Sequence, residues 1–593
     1  MKEIVQRIKE SVQVILDQKY GYKTEVSDIL VNETKPEFSG NYTVVLFSIV
    51  KKLKSDPDTL GRALGESLLE TQPDLFSGFN VIRGFLNLEI RDGILLVFLE
   101  DQHKNPAYGI KQANGRRVMV EYSSPNTNKP LHLGHLRNNF LGWSVAALYK
   151  ANGYDIIKTC IANDRGIHIC KSMLAWKRYA HGATPESTGI KGDHFVGDYY
   201  VLFGTELKKE VVDLMASGLT KDQAEKEAPL MKAAQQMLVE WEAGDPETIA
   251  LWKRMNSWVY AGFDITYRRI GSDFDRIYYE SETYLLGKDL VEEGLLKQVF
   301  YQKEDGSVWI DLRNDGLDEK IVRRSDGTAV YITQDIGLAV RKFEEYHMDQ
   351  SIYVVADEQN YHFRVLKLIC QKLQLPSAEG IFHLSYGLVE LPSGRMKTRE
   401  GTVVDADDIL DEMNNIAARH TSELGKVDDF NPEERTELYD TIGLGALKFF
   451  LLRVDPKKRM IFNPDESIDF HGFTGPFVQY THARIKSILR KERMEEPAGG
   501  AASPLLPLEK EVIISLEKYA ALLETACQEM NPSLVANFAF SLAQTFNSFY
   551  VEHSVGRAET EEKKQLRLRI CVLTANVLKS AMGILGIRVP ERM

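Results

Sequence analysis

Thirteen consecutive residues concentrate the groups that could do chemistry in this 593-residue chain: Ser123-Ser124-Pro125-Asn126-Thr127-Asn128-Lys129-Pro130-Leu131-His132-Leu133-Gly134-His135. They follow an apolar run, Val118-Met119-Val120, that reads as a buried strand, and they precede a helix-compatible segment over 136–151. Strand, loop and helix start together make a site for an anion. The free N–H groups of a first helical turn and the positive end of its dipole both favour negative charge. Gly134 would let a flat ligand such as a base or a ribose lie against the backbone. His132 and His135, three residues apart, point to one side and can both donate to phosphate oxygens. Taken alone, the four residues from His132 to His135 also fit a pair of surface histidines at a helix cap.

The elements that must hold these groups are legible around them. Residues 156–161 form the next strand-like run, and Ser351-Ile352-Tyr353-Val354-Val355-Ala356 reads as a strand of a parallel sheet. In open sheets of that kind, ligands sit at the carboxyl ends of strands, where strand order reverses. The 123–135 loop, Asn163, and Asp357 to Gln359 all follow strands and so can converge there. The spacing predicts an α/β protein: a Rossmann-like nucleotide-binding domain over 111–400, interrupted by a charged helical insertion at about 203–258. The inner positions of that insertion are Leu207, Val211 and Leu214, then Met231, Met237 and Leu238. Residues 295–310 suggest a hairpin. Residues 1–110 read as a separate α/β unit that opens on an amphipathic helix with Ile4, Val5, Ile8, Val12, Ile15 and Leu16. A connecting segment covers 401–442, and an all-α bundle covers 443–593.

His132-Leu133-Gly134-His135 after a strand resembles the "HIGH" motif of class I aminoacyl-tRNA synthetases and related nucleotidyl transferases. With Glu121, the thirteen residues resemble the arginyl-tRNA synthetase form of that motif. Further blocks occur in the matching order: Asn163-Asp164-Arg165-Gly166-Ile167-His168-Ile169, Tyr331-Ile332-Thr333-Gln334-Asp335-Ile336-Gly337, Gln359-Asn360-Tyr361-His362-Phe363, the run from Gly472 to Arg484, and the closing Pro590-Glu591-Arg592-Met593. The resemblance implies ATP-dependent attachment of L-arginine to tRNA(Arg) through an arginyl-adenylate, with ATP and Mg²⁺, and a 443–593 bundle that binds the anticodon. A rival within the superfamily is another class I synthetase or a small adenylyltransferase. A rival outside it is a non-catalytic RNA-binding protein that keeps the fold.

The resemblance also implies roles for particular residues. His132, Gly134 and His135 would bind ATP and, with Lys129, carry the catalysis. The loop Gly394-Arg395-Met396-Lys397-Thr398-Arg399-Glu400-Gly401 matches the mobile "KMSKS" loop, with Met396, Lys397 and Arg399 at ATP. It departs from that pattern at the second lysine, and Lys129 is expected to take over part of that charge. A guanidinium offers a rigid fork of donors and never loses its charge, so its pocket needs a carboxylate. Glu121 and Asp335 are the candidates, with Tyr331 one turn before Asp335. Ser124, Asn126, His135 and Gln359 would complete the arginine pocket. Uncompensated burial of a carboxylate is costly, so an empty pocket should hold water or a cation. For tRNA, the expected contacts are Phe85 and Asn87 in the N-terminal unit, although Phe85 by itself reads more naturally as core. Phe477, Gln479, Tyr480, His482 and Arg484 are expected in the bundle.

Composition sets independent bounds. A hydrophobic fraction of 44% and a charged fraction of 27% are those of a globular protein, not a disordered or membrane-embedded one. The N-terminal residues alternate in charge at helical periodicity, unlike a signal peptide. The net charge of −12 argues against a polyanionic partner only on average, because a local basic face can still bind RNA. Three clusters could make such a face: Arg453, Lys457, Lys458 and Arg459; Arg484, Lys486, Arg490, Lys491 and Arg493; and Lys563, Lys564, Arg567 and Arg569. The five cysteines are scattered. Cys160, His168 and Cys170 lack a fourth ligand for zinc, so buried thiols, no metal site and a reducing cytoplasmic setting are expected. A monomer is the form usual in the family.

Overall fold

Val118, Met119 and Val120 are fully buried because they form the middle of a parallel sheet covered on both faces. Its strands are β1 (Arg117–Glu121), β2 (Asp155–Ala162), β3 (Arg276–Tyr279), β4 (Gln350–Ala356) and β5 (Ile381–Tyr386). In the computed structural model, which describes residues 4–35, 37–390, 404–423, 429–495 and 504–593, they lie in the order β5-β4-β1-β2-β3. All neighbours are parallel; Val120 stands beside Ile352 of β4 and Lys158 of β2. The order reverses at β1. A crevice therefore opens at its carboxyl end, where Glu121, the 123–135 loop, Asn163 and Gln359 emerge.

Helix α1 (Leu133–Ala151) runs from that crevice back along the sheet and is buried on nearly all sides. The insertion between β2 and β3 is a set of helices that includes α2 (Gly192–Ala216) and α3 (Pro246–Ile270). It is wider than the expected 203–258. The first turns of α2 bury Phe195, Val196 and Phe203, so they lack the charged, solvated pattern that marked the rest. The expected hairpin near 295–310 belongs to a three-stranded antiparallel sheet completed by Lys320–Arg323. It is followed by α4 (Tyr331–Tyr346), β4 and α5 (Asn360–Lys372). A further helix, Ile167–Tyr179, leads from β2 toward α2.

Residues 4–102 form a four-stranded antiparallel sheet with helices on one face. The C-terminal part is helical, with α6 (Ala406–Glu423), α7 (Pro432–Leu452), α8 (Gly475–Lys491) and α9 (Glu561–Ile584). The boundary expected at residue 443 falls inside α7. Gly443 is there because α6 packs against it: a Cβ would stand 2.8 Å from the Met413 carbonyl oxygen. The cations of the third basic cluster are paired within the protein. Lys563 Nζ and Arg567 Nε pair with the fully buried Glu509 at 2.6 and 2.9 Å, while Lys564 pairs with Glu492 and Arg569 with Glu100. Among the described residues, no helix is long and apolar enough to cross a membrane.

The joint between bundle and catalytic unit contains a buried lysine. Lys448 Nζ donates to Gly586 O (2.7 Å) at the end of α9 and sits near the rings of Phe140 and Trp143 on α1. Burial pushes its ammonium down to about 7, and nearby Arg588 adds to the shift. Between that value and the ordinary 10.5, the unfolded chain holds a proton that the folded chain has released. Stability should therefore rise with pH across that window. Lys448→Met should flatten the rise, as read from urea midpoints at several pH values; an unchanged slope would show that Lys448 is not its source.

Candidate active site

His132 is the N-cap of α1. Its Nδ1 accepts the Gly134 N–H (3.1 Å), and its own N–H donates to His135 Nδ1 (3.1 Å). Each Nδ1 is thus an acceptor, which leaves the ring proton on Nε2 of both imidazoles. Burial pushes His132 down to about 3 and His135 well below its usual value, with Lys129 adding to both. The two rings, 3.9 Å apart, are neutral N–H donors, and the cation beside them is Lys129. Gly134 serves this turn more directly than it serves a flat ligand. A Cβ there would lie 3.0 Å from His132 Cε1, so the absent side chain lets the His132 ring fold back over its own helix start.

The loop from β1 to α1 is held in an uncommon conformation. Ser123 and Ser124 have φ of 81° and 41°, the left-handed region that few non-glycine residues enter. Ser123 is locked there by three bonds: its N–H donates to Asn138 Oδ1 (2.6 Å), and its Oγ meets Tyr267 OH (2.7 Å) and Asn139 Nδ2 (3.1 Å). Asn126 bridges to Asn163 at the end of β2, and Asn163 Nδ2 donates to Ser124 O (3.2 Å). Asn138 and Asn139 were missed in the sequence, although two asparagines one turn after His135 on an otherwise apolar helix were a usable signal. Asp164 is buried under the same loop. It is held by Tyr260 OH (2.8 Å) and by Ser281 Oγ (2.7 Å) and N (2.8 Å).

The two candidate guanidinium partners differ. Glu121 is 6% exposed and forms an ion pair with Lys342 of α4, whose side chain is wholly buried. Asp335, also on α4, is half-buried, and its Oδ2 lies 2.6 Å from His362 Nε2 on α5. Both carboxylates therefore have a cationic or donor partner within the protein, which fits the cost of leaving a buried carboxylate alone. Tyr331 starts α4 and is 73% exposed. It borders a cavity of about 620 Å³ lined also by Arg165, Glu280, Tyr284, Arg324 and Gln334. Burial pushes the Glu280 carboxyl up, with Asp164 and Asp335 adding to it against the pull of Arg165. Gln359 is exposed in the turn after β4. Met396, Lys397 and Arg399 lie outside the described residues.

Removing one member of the Glu121–Lys342 pair strands the other. Lys342→Met should cost about 3–5 kcal/mol of folding stability. The double variant Glu121→Gln with Lys342→Met should recover much of it. Equal urea midpoints for wild type and Lys342→Met would show that the pair does not hold this wall.

Of the expected tRNA contacts, three are corrected by burial. Asn87 lies inside the N-terminal sheet, accepting from Thr43 Oγ1 (2.6 Å) and donating to Asn80 (2.8 Å). Gln479 donates to Thr441 O (3.0 Å) and Arg588 O (2.8 Å), and His482 Nδ1 lies 3.0 Å from Pro590 O. These two side chains fasten the C-terminal tail to α8 and do not face solvent. Phe85 departs from its core reading: it is 38% exposed, edge-on to Phe47. Phe477 packs on Phe540. Arg484 lies over Tyr480 at 4.8 Å and donates to Asn547 (2.6 Å), half-buried. Lys457, Lys458, Arg459, Arg490 and Lys491 are exposed. Cys160 and Cys170 are buried thiols pushed up to about 12, and His168 faces Tyr200.

Comparison with known proteins gives the family. Residues 97–463 match the family model of tRNA synthetases class I (R), catalytic domain, and residues 478–593 match the DALR anticodon binding domain. The arginine–tRNA ligases of Parabacteroides distasonis and Bacteroides thetaiotaomicron are each 50% identical to the chain, covering 100% and 97% of both partners respectively. In fold, the chain is similar to the Thermus thermophilus arginyl-tRNA synthetase (TM-score 0.80, 23% identity) and to that of Plasmodium falciparum (TM-score 0.79, 17% identity), in each case over the whole of both chains. With a Rossmann-like crevice, a His-x-Gly-His helix start and relatives matched over their full length, the chain belongs to the arginyl-tRNA synthetase family of class I ligases.

Proposed function

We propose that the chain attaches arginine to tRNA(Arg) in two steps at the carboxyl edge of β1, β2 and β4. In the first, an arginine carboxylate oxygen forms a bond to the α-phosphorus of ATP, and the bond to the pyrophosphate oxygen breaks. In the second, the 2′-hydroxyl of the terminal adenosine attacks the arginyl carbonyl carbon, AMP leaves with the bonding electron pair, and the hydroxyl proton is released. Neither step needs a covalent nucleophile from the protein, so the task is positioning and stabilising charge on phosphate oxygens.

The observation that carries this reading is the pair of imidazoles with Nε2–H free of their cap bonds, set at a helix start beside Lys129. They donate to the α-phosphate without adding charge, Lys129 supplies the cation, and Mg²⁺ arrives with ATP as part of the substrate. Asp335 receives the guanidinium, with Tyr331 at the mouth and Ser124, Asn126 and Gln359 toward the amino acid backbone. Arginine and His362 compete for Asp335. Phe85 supplies an aromatic edge for the tRNA elbow. The exposed cations of 457–459 and α8, with Tyr480 and Arg484, supply the bundle's RNA face; cations place the backbone and aromatic rings stack on unpaired bases. A monomer in the cytoplasm is the proposed setting; the buried free thiols support the reducing compartment alone.

The test is ATP–pyrophosphate exchange with each amino acid in turn, with and without bulk tRNA. Exchange with arginine alone is expected. Exchange with cysteine or another amino acid, and none with arginine, would overturn the assignment.

A further inference from the structure

The His132 turn does not stand on α1 alone. Val404 O accepts the Leu133 N–H (3.2 Å), the Ala406 N–H donates to Leu131 O (3.0 Å), and His132 faces Asp405 in an antiparallel bridge. On its other side α2 rests against Lys129 and Pro130, so closely that a Cβ on Gly197 would stand 2.9 Å from Pro130 Cδ. Where these segments meet lies a charged cluster that the reaction above does not use. Lys191 Nζ is 2.6 Å from Asp407 Oδ2 and 3.0 Å from Asp193 Oδ2, and it donates to Thr266 Oγ1 (2.6 Å). His194 Nε2 is 3.1 Å from Asp407 Oδ2 and 3.5 Å from Asp405 Oδ2. The Thr266 hydroxyl in turn donates to Asp407 Oδ1 (3.1 Å).

Asp407 is therefore the hub. One oxygen takes Lys191 and His194, and the other takes Thr266 of α3. The ligand atoms of Asp193, His194 and Asp407 lie within 4.8 Å of one another, and the Lys191 ammonium is the cation they hold. The hub also sits in the first turn of α6, next to Ala406, whose N–H reaches the His132 turn. A shift of Asp407 moves the backbone that backs His132. We propose that Asp407, held by Lys191, His194 and Thr266, is a positioning residue that sets the His132 turn against Lys129 and so aligns the ATP phosphates. The inference rests on the placement of ATP argued above. Displacements of about 1 Å at a reacting centre can cost on the order of 10²-fold in rate, so a few tenths of an ångström is enough to matter.

The hub has a pH signature. The hydrogen bond to Asp407 holds the His194 imidazole above its ordinary value, with Asp405 and Asp193 adding and burial and Lys191 opposing; Asp198 is a further carboxylate near the ring. Below the raised value two cations hold Asp407. As pH rises through it, His194 loses its charge and Lys191 alone remains.

The experiment is steady-state exchange in the full chain with tRNA present, for Asp407→Asn, Lys191→Arg, His194→Gln and a His135→Ala control. Asp407→Asn should raise KM for ATP about 10-fold and lower kcat about 10-fold, leaving KM for arginine within about 2-fold. Lys191→Arg should retain most of the wild-type ATP parameters. His194→Gln, at a side chain 30% exposed, should cost about 3-fold in kcat/KM for ATP and abolish its decline at alkaline pH. Wild-type ATP parameters in both Asp407→Asn and His194→Gln, equal changes in the two substrates' KM values, or an unchanged pH profile in His194→Gln would each overturn the inference. If His135→Ala is impaired and Asp407→Asn is not, the hub alone fails. If His135→Ala is unimpaired, the ATP placement falls and takes the hub with it.

Discussion

Replacing Asp335 with asparagine is expected to lower kcat/KM for arginine by about 10³-fold, roughly 4 kcal/mol, with KM for ATP nearly unchanged. The guanidinium stays charged at any working pH, so its pocket must supply a charge, and an amide supplies none while turning a donor toward donors. Glu121 cannot substitute, because it is committed to the buried Lys342. Asp335 is the more open carboxylate, and its partner His362 is a side chain that can yield it to substrate. The same logic predicts rejection of citrulline, a neutral isostere that would leave the carboxylate uncompensated. Steady-state exchange with arginine and citrulline on wild type and Asp335→Asn checks both statements. Wild-type kcat/KM in the variant would remove Asp335 from the arginine site.

His135→Ala should lower kcat for exchange by about 10²–10³-fold, the cost usual for loss of one preorganised donor to a developing anion. Folding should change little, since the side chain contributes one hydrogen bond to the cap, a loss of about 1 kcal/mol. Because both imidazoles are neutral near neutrality, neither should produce a limb in the pH–rate profile between about pH 6 and pH 9. Their effect on stability has a definite sign. The folded values are depressed, so the unfolded chain takes up protons as pH falls below the ordinary 6.5, while folded His132 waits until about 3. The stabilising contribution is complete above 6.5 and is lost as pH falls through that window. Urea midpoints from pH 7 downward should therefore fall less steeply in His135→Ala than in wild type. Undiminished turnover in the variant would refute the role of His135 as a donor.

Fewer basic residues of the C-terminal part are free for a polyanion than their number in the sequence suggests. Lys563 and Arg567 serve a buried carboxylate, and Gln479 and His482 serve the tail's carbonyls. What remains exposed is concentrated on 457–459 and the later turns of α8, beside the half-buried Tyr480 and Arg484.

Local order was written in the chain itself. The apolar runs at 118–120, 156–161 and 351–356 became β1, β2 and β4 with each end placed to within a residue, because the middle of a parallel sheet demands apolar residues on both faces. The alternation of strand, loop and helix start placed His132 at a cap, because an N-terminus needs acceptors for its free N–H groups. The pairing of groups far apart was decided only by the folded chain. Glu121 meets Lys342 across 221 positions, and His482 meets Pro590 across 108. Helical periodicity shows which residues of α8 share a face, yet not that the tail covers the face bearing Gln479 and His482. Likewise, spacing made His132 and His135 neighbours, but only burial beside Lys129 keeps them neutral well below the ordinary imidazole value. Sequence pattern carries short-range backbone preference, whereas charge state and solvent access depend on what long-range packing excludes.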